Sequence, residues 1–181
     1  FVACLALLWA SLGMIGTASA DATGSYGENG RALFSFSIPD FWTLESGGAR
    51  MIAPPDGGEA RPVPQVISMR PTVDPTVWMG FLSPAGLSTR SEGRAYLAEI
   101  SAHLGGTPEV SGATSRTIGG LPADVIRGTG RRDGRDLSFS IAVIDLPGSR
   151  IAIAAAVIEA GTGQATVDEI NAIFASIRAS R

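Results

Sequence analysis

Leu137-Ser138-Phe139-Ser140-Ile141-Ala142-Val143-Ile144-Asp145-Leu146-Pro147-Gly148-Ser149-Arg150-Ile151-Ala152-Ile153-Ala154-Ala155-Ala156-Val157-Ile158 decides the fold. Residues 137–146 read as a strand, Pro147-Gly148 as a turn, and Arg150 to Ile158 as a second strand. The second strand is apolar almost without a break, as befits a strand covered on both faces at the centre of a sheet. Upstream, Asp133-Gly134 is a hairpin signal inside Arg131 to Arg135. Before it, Leu121 to Arg127 and the polar, alternating Val110 to Ile118 read as strands joined by Gly119-Gly120. Downstream, Thr166 and Glu169 form a capping box that predicts the start of a helix. Val167, Ile170, Ile173, Phe174 and Ile177 then draw one apolar stripe, and Arg178 and Arg181 sit at its end, where the helix dipole favours cations.

The first half predicts strands in the same way. Phe34, Phe36 and Ile38 alternate with Ser35 and Ser37. Pro39-Asp40 is a turn, and Phe41-Trp42-Thr43-Leu44 starts a second strand. Arg50 to Ala53 is a short third, residues 54–64 form a Pro- and Gly-rich loop, and Val66 to Arg70 is a fourth that stops at Pro71. Residues 72–88 read as a loop carrying an apolar cluster, Trp78-Met79-Gly80-Phe81-Leu82. Thr89 and Glu92 make a capping box for a helix with Tyr96, Leu97, Ile100 and Leu104 at helical spacing, ended by Gly105-Gly106. Four strands, a helix, four strands and a helix predict an α+β fold. Its antiparallel sheet has about seven to eight strands, with two main helices packed on it.

Composition bounds the function. The chain has 181 residues, 45% hydrophobic and 17% charged, which suits one folded domain with an ordinary core. A net charge of −3 argues against a nucleic-acid partner. All 14 basic residues are Arg, so Schiff-base, Walker A and nucleophilic lysines are excluded. One His, His103, and one Cys, Cys4, cannot assemble a His/Cys zinc cluster, and no cofactor is expected.

Residues 1–20 carry no charge and end in Ala18-Ser19-Ala20, small residues of the kind a signal peptidase accepts. They predict a signal peptide cleaved before Asp21 and a periplasmic or secreted protein. The alternative is a retained anchor, disfavoured by Gly13, Gly16, Thr17 and Ser19. Cys4 precedes most of the apolar run, unlike a lipobox Cys. The chain opens at Phe1 with no Met or positive n-region, so residues are expected before it. Residues 21–32, with Gly24, Gly27 and Gly30, read as a flexible leader, and 33–181 as the single domain. No second hydrophobic span follows the signal, so no membrane span is expected after cleavage.

Phe36-Ser37-Ile38-Pro39-Asp40-Phe41-Trp42, Ile118-Gly119-Gly120-Leu121-Pro122-Ala123 and Ile173-Phe174-Ala175-Ser176-Ile177-Arg178 are spaced by a helix and a long hairpin. Over most of 33–178 this resembles the PsbP-like and DcrB-like proteins. The resemblance implies an α/β/α sandwich, export, and roles in binding or assembly rather than catalysis. It carries over no functional residue, because the matching positions mark strand starts, turns and a helix end. The docking lysines of photosynthetic members have no counterpart in a chain without Lys.

Trp78, Met79, Phe81 and Leu82, just before a helix, could form a docking patch or hold a small apolar ligand against the sheet; otherwise they complete the core. Arg127, Arg131, Arg132 and Arg135 could grip an anionic partner; otherwise they are a solvated hairpin tip offset by Asp133 and Asp136. Gly128-x-Gly130 leads into a strand rather than a helix, so it is no phosphate loop. Asp124, alone among apolar neighbours, could belong to a carboxylate pair across strands; otherwise it is exposed or pairs structurally, with Arg127 or with the strand of Arg135 and Asp136. A hydrolase would need His103 or paired carboxylates, and no Gly-x-Ser-x-Gly elbow is present. The reading favours a non-catalytic accessory protein bound to an envelope protein, with a carrier of a small apolar ligand as the second possibility.

Overall fold

The computed structural model describes residues 21–48, 50–52, 61–63, 65–103, 108–132 and 134–180. The signal at 1–20, Gly105-Gly106 and Asp133 lie outside them.

In chain order come β1 (Ala22–Glu28), β2 (Arg31–Ile38), β3 (Trp42–Gly47), β4 (Arg50–Ile52), β5 (Arg61–Val63), β6 (Val66–Pro71) and β7 (Trp78–Leu82). The helix α1 (Arg90–His103) follows, then β8 (Glu109–Ile118), β9 (Leu121–Arg132), β10 (Arg135–Leu146) and β11 (Arg150–Glu159). The chain closes with α2 (Gln164–Ser176) and β12 (Arg178–Ala179). Seven strands form one antiparallel sheet in the order β3-β6-β7-β11-β10-β9-β8. A smaller sheet has the order β1-β2-β12, and β4 pairs with β5. The expected α+β architecture holds, with β11 inside the sheet as its composition requires.

The two faces of the large sheet bury different partners. One packs Met69, Met79, Phe81, Ala142, Ile144, Ala152 and Ala154 against Phe34 and Phe36 of β2 and Ile170 and Ile173 of α2. Phe36 stacks on Phe81 with centroids 4.0 Å apart. On the other face Val143, Ile151 and Ile153 pack against Tyr96 and Leu97 of α1. α1 lies close because Gly93 faces the sheet: a Cβ there would fall 2.6 Å from both Ile151 Cδ1 and Val143 Cγ1. Thr89 and Glu92 cap α1 reciprocally, the Thr89 N–H donating to Glu92 Oε2 at 2.9 Å and the Glu92 N–H to Thr89 Oγ1 at 3.2 Å.

Several expectations change. Residues 22–28 are not a flexible leader but β1, paired with β2 through an Asn29-Gly30 turn. Its glycines serve packing: a Cβ on Gly24 would lie 2.7 Å from the Phe36 ring. Residues 78–82 are not a loop but β7, between β6 and β11. Both of its faces are covered, so both parities are apolar and the period-two signal disappears. The loop expected over 54–64 contains β5 at its end. Phe41 precedes its strand in a turn, with φ +66°. The second capping box does not form. α2 starts at Gln164 after Gly163, so Thr166 already lies in its first turn, and Glu169 instead accepts from Trp42 Nε1 at 2.7 Å.

Candidate functional site

Alternation along β9 settles where its charged residues point. Asp124 and Arg127 are an odd number apart, so they project from opposite faces, and the expected pair cannot form. Asp124 lies opposite Val143 on β10 and Ser115 on β8, on the face that α1 covers. The capping box fixes where α1 begins. Arg90 and Arg94 then stand one turn apart on the same side of the helix, above Asp124.

Asp124 is 6% exposed, and three donors satisfy it. Arg90 Nη1 reaches Oδ1 at 2.7 Å, Ser115 Oγ donates to Oδ1 at 2.8 Å, and Arg94 Nη1 bonds Oδ2. Arg90 also bridges outward, its Nε 3.0 Å from Asp145 Oδ2. A buried carboxylate is costly unless paired and hydrogen-bonded, and Asp124 is both. Around this knot opens a cleft of about 480 Å³, lined by Ser88, Thr89, Arg90, Ser91, Arg94, Asp124, Asp145 and Leu146. Two guanidinium and two carboxylate groups make its charge balanced. Each lining carboxylate has a guanidinium partner.

Glu92 beside the cleft has its carboxyl held below the ordinary 4.5, first by the backbone N–H groups of Ser88 and Thr89 and then by their hydroxyls. Elsewhere, burial raises the hydroxyls of Tyr26 and Tyr96 above the usual 10.0. Tyr26 donates to the Gln65 carbonyl at 2.8 Å, whereas the buried Tyr96 hydroxyl has no hydrogen-bond partner among the described residues.

The residues singled out in sequence do not converge. Met79 and Phe81 have no accessible surface and belong to the core under β2. Trp78 and Leu82 are half-buried on the α1 face. Residues 78–82 therefore do not lie in a loop over the sheet, because β7 is itself an inner strand. Arg127 and Arg131 lie on one face of the β9–β10 hairpin, Arg132 and Arg135 on the other. Arg131 Nε pairs with Asp136 at 3.0 Å, and Arg135 Nη1 with Glu159 at 2.9 Å. His103 is the last residue of α1, and its side chain lies outside the described residues. Among the described residues no group of three or more His, Cys, Asp or Glu could hold a metal ion. No helix there is long and apolar enough to cross a membrane. Sequence reasoning missed Arg90, Arg94 and Asp145. The i, i+4 arginines behind the capping box were the available signal.

Comparison with solved structures places this architecture. The cyanobacterial PsbP protein CyanoP of Synechocystis sp. PCC 6803 aligns with a TM-score of 0.55 at 14% identity, over 94% of this chain and 98% of that one. The chain has the PsbP-like fold. LpqN of Mycobacterium tuberculosis, described as involved in cell envelope biogenesis, aligns at 0.50 and 14% identity, covering 89% of this chain and 91% of its own. A protein of Bacteroides thetaiotaomicron aligns at 0.50 and 12% identity over 82% of this chain. The chain spans about half of that protein, 46% of its length. No family model and no curated protein matches the chain.

Proposed function

We propose that the chain is an exported, non-catalytic accessory protein of the cell envelope that works by docking onto an envelope protein. One observation carries the non-catalytic part: both carboxylates of the cleft are tied to Arg90 and Arg94. Such a knot holds α1 on the sheet and leaves no acid–base pair facing solvent there. The envelope assignment draws on the Ala18-Ser19-Ala20 ending of the uncharged leader. The fold shared with LpqN, whose description places it in envelope biogenesis, points the same way. Fold alone does not fix a role, so the partner must be found by experiment.

The test is native mass spectrometry of the protein purified gently from the envelope fraction of its own cells. The expected result is a mature chain beginning at Asp21 that carries a second polypeptide. A full-length chain in the cytosol, or a chain carrying only a small molecule, contradicts the proposal.

A further inference from the structure

Among the described residues, the most exposed large apolar side chains belong to two turns joined by hydrogen bonds. Phe41 is 80% exposed and Val73 is 86% exposed. The turns are tied together: both the backbone N–H and the hydroxyl of Thr72 donate to the Phe41 carbonyl, each at 2.7 Å. Val73 is the next residue along the chain. Two exposed apolar residues thus belong to turns joined through Thr72.

Phe41 is held there against its own preference. The 39–42 turn closes with the Trp42 N–H donating to the Pro39 carbonyl at 3.3 Å, which puts Phe41 at the third position. Its φ of +66° is left-handed backbone, which suits Gly or Asn and is an outlier for a bulky residue. A core position could offset that strain, but this ring contributes almost nothing to the core. A strained backbone thus carries a ring that stands in solvent. Strain of this kind, fixed by neighbouring hydrogen bonds, is a mark of functional positions.

The surroundings are acidic. Asp40 precedes Phe41 and is exposed, and Asp74 follows Val73 and accepts from the Thr76 N–H at 3.0 Å. Glu169 accepts from Nε1 of Trp42, the residue after Phe41. Arg70, opposite Thr43, is the nearby base in register. Asp40 and Asp74, each next in sequence to one of the two apolar residues, select a basic counterpart. An anionic membrane surface would repel them. Resting on the accessory reading above, we infer that Phe41 and Val73 are a docking tip for an envelope protein offering an apolar pocket rimmed by Arg or Lys.

The experiment uses the full chain expressed in its own cells and three variants. Phe41→Gly with Val73→Ser should lower the co-purifying polypeptide at least tenfold. Asp40→Asn with Asp74→Asn should lower it several-fold at low salt and flatten its salt dependence. Phe41→Gly alone should also raise the melting temperature by about 2–4 °C, showing an intact fold relieved of strain. If the wild type carries a polypeptide that Phe41→Gly/Val73→Ser retains in full, the tip is refuted while the accessory reading stands. If the wild type carries none, that reading falls and the tip with it. Phe41-dependent sedimentation with phosphatidylcholine vesicles, or a Phe41→Gly variant that melts lower, also overturns the proposal.

Discussion

The first turn of α1 and the Phe41–Val73 tip are opposite solutions to one physical problem. At α1 a polar group that ought to be in water, Asp124, is buried, and three donors from this same chain satisfy it. At the tip apolar groups that ought to be buried are in water, and nothing among the described residues covers them. The first arrangement is complete within the molecule, so folding stability accounts for it. The second is incomplete within the molecule and carries backbone strain besides, so it needs an explanation outside the chain. Unusual chemistry alone does not mark a functional site.

The largest test of that contrast is at Asp124. Asp124→Ala removes the acceptor shared by Arg90, Arg94 and the Ser115 hydroxyl, leaving Arg90 its bridge to Asp145, and it should cost about 2–3 kcal/mol in urea denaturation. A cost under about 1 kcal/mol would mean the knot does not hold α1. Next comes Gly93→Ala. Its methyl would meet Ile151 and Val143 at 2.6 Å, so overpacking should outweigh the better helix propensity and cost about 1–2 kcal/mol.

Tyr96→Phe should move the other way. It removes a buried hydroxyl without a partner among the described residues and should gain about 1 kcal/mol. The smallest effect concerns acid. Glu92 has a folded pKa below its ordinary 4.5, so its contribution is fully present above that value and is lost as pH falls through the lowered one. Glu92→Gln should therefore leave a shallower loss of stability below pH 4.5, measured by thermal melts across the acid range.

How much of this was legible in sequence depends on the range over which each signal acts. The Thr89–Glu92 box, the Gly119-Gly120 turn and the β10–β11 hairpin are local, and the chain states them outright. β1 was hidden because its glycines look flexible until the Phe36 ring is placed over Gly24. β7 was hidden because burial on both faces erases alternation. The partners of Asp124 come from residues 34 and 30 positions away, and no periodicity reaches that far. The parity rule, though, already excluded Arg127. Phe41 reads as the first residue of a strand because a positive φ leaves no trace in a phenylalanine's identity.

The contrast between the two regions stands or falls at Phe41, and one melt tests it. The thermal midpoint of Phe41→Gly is compared with the wild type in the same buffer. A strained, solvent-facing ring predicts a midpoint higher by about 2–4 °C, since glycine adopts the turn freely and no core contact is lost. A midpoint lower by several degrees would show that the ring supports the fold, and the tip would then be structural rather than reserved for a partner.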